Sequence, residues 1–256
     1  MAFRVSRRLL RLICENLPTI DIKVLGVNNL ETVKGNPAIY AFSPHGGHSE
    51  DAIVYWTVSD QAETPIVFPA ALKPWWTDKR LNLVGKMYAP MIPIARKKDG
   101  ASREEVKESV NNLVALLNDG YSTVLAAEGT RSSKPFLERR VTSGLADLAL
   151  RSGAPVVPVV LRGFSHIQTK DDRFPKLLPE RREDGELHRR HVLVYFGEPV
   201  SFPQVDDPRR PDRLPVMHRL DAIYQGIYEG LEQAPYSDIW DQSLSTSEVD
   251  NVVAPG

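Results

Sequence analysis

Four side chains able to hold or move a proton fall within seven consecutive residues: His45, His48, Glu50 and Asp51. Imidazole is the side chain whose ordinary pKa suits proton transfer near neutral pH. A carboxylate bonded to one ring nitrogen fixes the tautomer and stabilises the imidazolium that forms when the other nitrogen takes a proton. The stretch therefore has the make-up of a general base, His45, with an orienting acid, Glu50 five positions on or Asp51 six. His45 and His48 are not at the i, i+4 spacing of a helical metal-binding pair, and no cysteine cluster completes a zinc set. A polar loop that merely caps a helix would use the same residue types, so a purely structural reading stays open here.

Two further clusters carry chemistry. Arg96-Lys97-Lys98 closes a short apolar segment; three cations at a strand end form a solvated rim or a phosphate site, and the guanidinium fork matches phosphate oxygens better than ammonium does. Glu128-Gly129-Thr130-Arg131-Ser132 follows another apolar run and offers backbone N–H groups, hydroxyls and a guanidinium to an anion. It lacks the spacing of a nucleotide-binding P-loop.

The elements that must position these groups read as alternating strands and helices. Strands are expected at 20–26, 37–42, 65–72, 90–96, 121–127, 154–162 and 191–196. Helices are expected at 51–59, 76–84, 101–119, 141–152 and 213–233. Ser49 or Glu50 is the expected cap of the first of these, and Ser102 with Glu105 makes a capping box for the third. Pro155 and Pro158 favour an edge position or a strand start for 154–162. The charged stretch 164–190 reads as a long surface excursion. The pattern describes one α/β domain over 20–233, its mixed, largely parallel sheet covered by helices on both faces.

The rest of the chain sets bounds. With 32 basic and 33 acidic residues, nothing in the overall charge argues for nucleic acid. The single cysteine, Cys14, excludes an intrachain disulfide framework and fits a reducing, cytoplasmic setting. No apolar run approaches the roughly 20 residues that span a bilayer. Residues 1–19 read as an amphipathic helix with four arginines, suited either to a membrane surface or to packing on the domain. Residues 234–256 read as a loosely held tail.

Four stretches stand in order along the chain: H-G-G-H-S-E-D at 45–51, P-M-I-P-I-A-R at 90–96, E-G-T-R-S at 128–132 and A-P-V-V-P-V at 154–159. Together they resemble the four blocks of the lysophospholipid and glycerophosphate acyltransferase family, which includes the 1-acylglycerol-3-phosphate acyltransferases. The resemblance covers about 20–232, and E-G-T-R-S after an apolar strand is its most specific part. The family's first block is a histidine, four residues and an aspartate; here Glu50 stands at the acid position, with Asp51 next to it. The second block matches loosely, and Pro44 replaces the asparagine often found before the histidine.

The resemblance implies transfer of a fatty acyl group from acyl-CoA or acyl-carrier protein, as co-substrate, to the hydroxyl of a lysophosphatidic-acid-like acceptor. No cofactor or metal is implied. His45 would be the base, partnered by Glu50 or Asp51, and Arg96, Glu128, Gly129, Thr130 and Arg131 would hold the phosphate-bearing acceptor. Donors for the thioester oxyanion are expected among backbone N–H groups of the same turns. A lipid acceptor implies peripheral contact with a membrane surface. Another lysolipid or glycolipid acceptor, a hydrolase or a lipid-binding protein without turnover remain alternatives; the absence of G-x-S-x-G counts against a serine hydrolase.

Overall fold

Each short apolar run becomes a strand of one sheet. The structure, a computed structural model, describes residues 20–78, 90–172, 175–176, 180–181, 187–188 and 190–233. The expected N-terminal helix at 1–19 and the tail at 234–256 lie outside the described residues, as does 79–84 of the helix expected at 76–84. In that region a single helical turn, Leu72–Trp75, leads into a turn over 76–78.

The strands are β1 (Ile20–Leu25), β2 (Ile39–Ser43), β3 (Ile66–Ala71), β4 (Met91–Ile94), β5 (Ser122–Ala126), β6 (Val156–Arg162) and β9 (Arg190–Phe196), and they form a seven-stranded sheet in the order β1-β9-β6-β2-β5-β3-β4. The short strands β7 (Glu180–Arg181) and β8 (Leu187–His188) pair only with each other. All pairings in the large sheet are parallel except β6 with β9. The C-terminal ends of β2, β3, β4, β5 and β6 therefore meet along one edge. In open α/β sheets that edge is where ligands bind.

Both faces of the sheet are covered, which is why its central strands are apolar throughout. Along β2, Ile39 and Ala41 face a core built with helices α2 (Arg103–Asn118), α3 (Ser143–Ser152) and α4 (Arg210–Gln233). Tyr40 and Phe42 point the other way, into a core shared with α1 (Ser49–Gln61) and with Leu30 and Val33. The expected capping box of α2 forms: Ser102 Oγ accepts from the Glu105 N–H at 3.1 Å, and the Glu105 carboxylate accepts from the Ser102 N–H at 2.7 Å.

Two expectations about elements are corrected. Strand β6 is interior, flanked by β2 and β9, rather than at an edge. Pro158 is tolerated there because antiparallel pairing with β9 begins only at Val159. Its carbonyl accepts from the Gly197 N–H at 2.8 Å on the β9 side. The ring nitrogen faces that same side, at the break between the β6–β9 ladder and the isolated Val156–Val200 bridge, where no donor is required. The stretch after β6 is also not wholly a surface excursion. Phe164, Ile167 and Gln168 are buried and turn in beneath the loop that carries His45.

Candidate active site

The loop after β2 brings His45 to the sheet edge in a buried niche, its ring edge-on to Phe42. Pro44 opens the turn, with a cis peptide bond between Ser43 and Pro44. His45 Nδ1 lies 3.0 Å from Glu50 Oε2 and 3.7 Å from Asp51 Oδ1. Glu50 is only 2% exposed, and its carboxylate also accepts from the N–H groups of Gly46, at 2.8 and 3.0 Å, and of Gly47, at 3.1 Å. Asp51 holds the exposed His48 through Nδ1 at 3.1 Å, and His48 stands edge-on to Trp75. Glu50 is thus the direct partner of the His45 ring, with Asp51 just beyond bonding distance.

Burial pulls the His45 pKa down, but the carboxylates of Asp51, Glu50 and Glu128 around it outweigh burial and set it above the ordinary histidine value. Burial raises Glu50 above the usual carboxyl range, against the pull of His45 and of the Gly47 N–H. With Glu50 ionised, Nδ1 is the donor in this bond, which leaves Nε2 as the nitrogen able to accept a substrate proton.

Glu128 and Arg139 lock the backbone of this loop. Glu128 is buried, and its Oε1 accepts from Ser43 Oγ at 3.0 Å, from the His45 N–H at 2.9 Å and from Arg139 Nη1 at 3.0 Å. Arg139 also donates to the His45 carbonyl at 3.2 Å and, through Nη2, to the Ser132 carbonyl at 2.8 Å. The Ser132 N–H donates to the same His45 carbonyl at 2.9 Å. The carboxylate of Glu128 is therefore occupied by the protein's own donors. It ties the loop after β5 to the loop after β2.

The N–H groups of residues 45–49 all find partners within the protein: His45 on Glu128, Gly46 and Gly47 on Glu50, His48 and Ser49 on Gln168. The N–H groups of this turn are thus committed to holding the His45 loop and not open to an oxyanion. Gly129 adopts a positive φ of 63°, and a Cβ there would lie 3.1 Å from Thr142 Cγ2, so the turn that presents Thr130 and Arg131 needs glycine.

Cations gather at the same edge. Arg96 follows β4; its Nε donates to Asp99 at 2.7 Å and its Nη2 to the Lys73 carbonyl at 3.2 Å. Lys98 Nζ donates to Thr130 Oγ1 at 2.5 Å, joining the loops after β4 and β5. Partial burial, with the cations Arg96, Arg131 and Lys170, depresses the Lys98 pKa, so each of those three lies within electrostatic reach of Lys98. Arg131 is half-buried and makes no ion pair among the described residues. Nor does any group of three His, Cys, Asp or Glu among the described residues have the placing to hold a metal ion.

The structure gathers His45, Glu50, Asp51 and Glu128 about one ring, and Arg96, Thr130 and Arg131 about Lys98. Sequence reasoning missed Arg139, Gln168 and Lys170. The reach of Arg139 to the His45 carbonyl and of Gln168 to the N–H groups of 48 and 49 gives no local signal, because those partners lie 94 and 119–120 residues away. Lys98 was visible only as one of a run of cations.

A search of curated proteins finds no match. Among solved structures, the chain resembles the crystal structure of the 1-acyl-sn-glycerophosphate (LPA) acyltransferase PlsC from Thermotoga maritima, with a TM-score of 0.57 and 18% identity over 90% of this chain and 79% of that one. At that identity the likeness speaks to fold. A family model described as Acyltransferase matches residues 21–162, more than half of the 256-residue chain. That match spans β2, β4 and β5, the strands that deliver His45, Arg96 and Arg131 to one edge, and the chain belongs to the acyltransferase family.

Proposed function

We propose that the protein transfers a fatty acyl group from a thioester donor, acyl-CoA or acyl-carrier protein, to the hydroxyl of a phosphate-bearing lysolipid such as lysophosphatidic acid. The observation that carries this reading is the His45–Glu50 pair, 3.0 Å apart through Nδ1, on the same sheet edge as the cations Arg131, Lys98, Arg96 and Lys170. In the reaction, Nε2 takes the proton of the acceptor hydroxyl while that oxygen attacks the thioester carbonyl. Glu50, and Asp51 behind it, stabilise the resulting imidazolium. Collapse of the tetrahedral intermediate breaks the C–S bond, and His45 returns its proton to the departing thiolate. No acyl-enzyme is required.

Arg131 serves as the main phosphate contact, since its guanidinium is not committed elsewhere among the described residues. Arg96, Lys98 and Lys170 add positive potential around it. Glu128 acts here by holding the His45 loop, with Gly129 shaping the turn that offers Thr130 and Arg131. A lipid acceptor places the enzyme at a membrane surface as a peripheral protein, and no described helix is long and apolar enough to cross a membrane.

The test is thiol release from a long-chain acyl-CoA, with and without lysophosphatidic acid, in the wild-type protein and in His45→Ala. Acceptor-dependent release that the substitution abolishes is the expected result. Release indifferent to acceptor would instead mean a thioesterase, and no release with any lysolipid would mean a binding protein.

A further inference from the structure

Helix α1 begins at Ser49, and its N-cap residue, His48, supplies no side-chain cap. The opening N–H groups of a helix have no partner within the helix and must find one elsewhere. Here the partner comes from a distant loop. Gln168 Oε1 accepts from the N–H of His48 at 2.9 Å and of Ser49 at 3.0 Å, and the residue is only 3% exposed. Its own backbone is fixed, with its N–H donating to the Phe164 carbonyl at 2.9 Å. The next residue, Thr169, donates twice to the Asp172 carboxylate at 2.8 Å.

Glu50 grips Gly46 and Gly47 from the inside of the same turn, so the segment is clamped on both sides. The clamp is tight. A Cβ built on Gly47 would stand 2.9 Å from Cβ, Cγ and Oε1 of Gln168.

We propose that Gln168 is a positioning residue for the acid–base pair: by closing the N-terminus of α1 it fixes the first helical turn, from which Glu50 and Asp51 reach His45. The kinetic consequence rests on the acyltransfer reading above, whereas the geometric one does not. A neutral amide suits this place. His45 already faces Glu50 and Asp51 from α1 and Glu128 from the loop after β5. Arg139 sits on its carbonyl, and His48 shares Asp51. A carboxylate acceptor at position 168 would bring one more negative charge to that group.

The experiment is an NMR titration of the His45 imidazole in the intact protein, its signal assigned by loss in His45→Gln, alongside kcat and KM for both substrates. Gln168→Met removes the acceptor at nearly constant length. It should move the His45 pKa back toward the ordinary histidine value and cut kcat by about tenfold or more, with KM within about twofold, as expected when a reacting group is misplaced by a fraction of an ångström. Gln168→Glu keeps an acceptor and should hold kcat within about threefold of wild type, with the His45 pKa staying high. Should Gln168→Met fail to fold, Gly47→Ala displaces the Gln168 side chain instead; its φ lies outside the left-handed region, so that contact is what the methyl disturbs. It should reproduce the fall in pKa.

An unchanged His45 titration in folded Gln168→Met, or in Gly47→Ala if that variant stands in, would overturn the proposal. So would equal loss of kcat in the Met and Glu variants. The titration needs no turnover. Failure of the wild-type protein to transfer acyl groups would refute the proposed function while the titration still decided the role of Gln168.

Discussion

At His45 burial and charge act in opposite directions, and charge prevails: the imidazole holds its proton to higher pH than free histidine does. Only the neutral ring can act as base, so activity should fall as pH drops through this raised pKa, and the acidic limb of kcat/KM should lie above about 6.5. The charge of Asp51 is the largest single influence raising the value, ahead of either the hydrogen bond or the charge of Glu50 taken separately. Asp51→Asn should therefore shift the acidic limb to lower pH while leaving the Glu50 bond in place; a limb that stays put would show that Asp51 does not tune the base. Arg139 permits a prediction on stability. Arg139→Ala leaves the Glu128 carboxylate buried without its cation, a change worth about 3–5 kcal/mol, read as a lower urea midpoint. Arg139 also donates to three backbone carbonyls, those of Lys134, His45 and Ser132, so Arg139→Lys should recover only part of that loss.

Elements deliver these residues, and their ends decide whether the delivery is accurate. Strand β6 hands the chain to the Gln168 loop through Gly163, whose φ is 82° and whose added Cβ would fall 2.1 Å from the His191 carbonyl oxygen. Gly163→Ala should cost more than the ~1–2 kcal/mol of left-handed strain alone, because backbone on β9 must also move. Denaturant unfolding measures this. A loss below about 1 kcal/mol would mean that the β6–β9 junction yields easily. The strands were legible because both faces of the sheet are covered: buried strands become continuous apolar runs bounded by turn residues, as 39–43 and 122–126 show. Helix α2 was legible through its cap and stripe. The interior place of β6 was not, since whether proline is tolerated depends on where the neighbouring ladder ends.

Taken whole, the molecule runs five strands in one direction and places their C-terminal ends together, so loops far apart in sequence share one rim. That rim is acidic around His45 and basic around Lys98. The basic side predicts preference for a phosphate-bearing acceptor. Arg131→Ala should raise the acceptor KM by about 10–100-fold, the scale of one lost charge-assisted hydrogen bond, with the acyl-CoA KM little changed. A monoacylglycerol acceptor, lacking phosphate, should be insensitive to the same substitution. Equal effects on both acceptors would remove Arg131 from the phosphate site.

By itself the sequence determined the seven strands of the large sheet, helices α1 to α4, the nearness of His45 to Glu50 and Asp51, and the blocks that carry the family. These are local facts, set by apolar periodicity, turn residues and spacings of a few positions. Tertiary structure alone decided which carboxylate meets the ring, that Glu128 and Arg139 tie two loops together, and that the N–H groups of 45–49 are spent inside the protein. It also decided that an amide from residue 168 caps the helix bearing the acids. The ties of Glu128, Arg139 and Gln168 to residues 45–49 depend on partners brought together across the sheet edge, whereas the choice of Glu50 over Asp51 turns on how the loop itself folds. The physical reason is that a hydrogen bond between residues 80 to 120 positions apart leaves no periodicity or spacing in the chain that forms it.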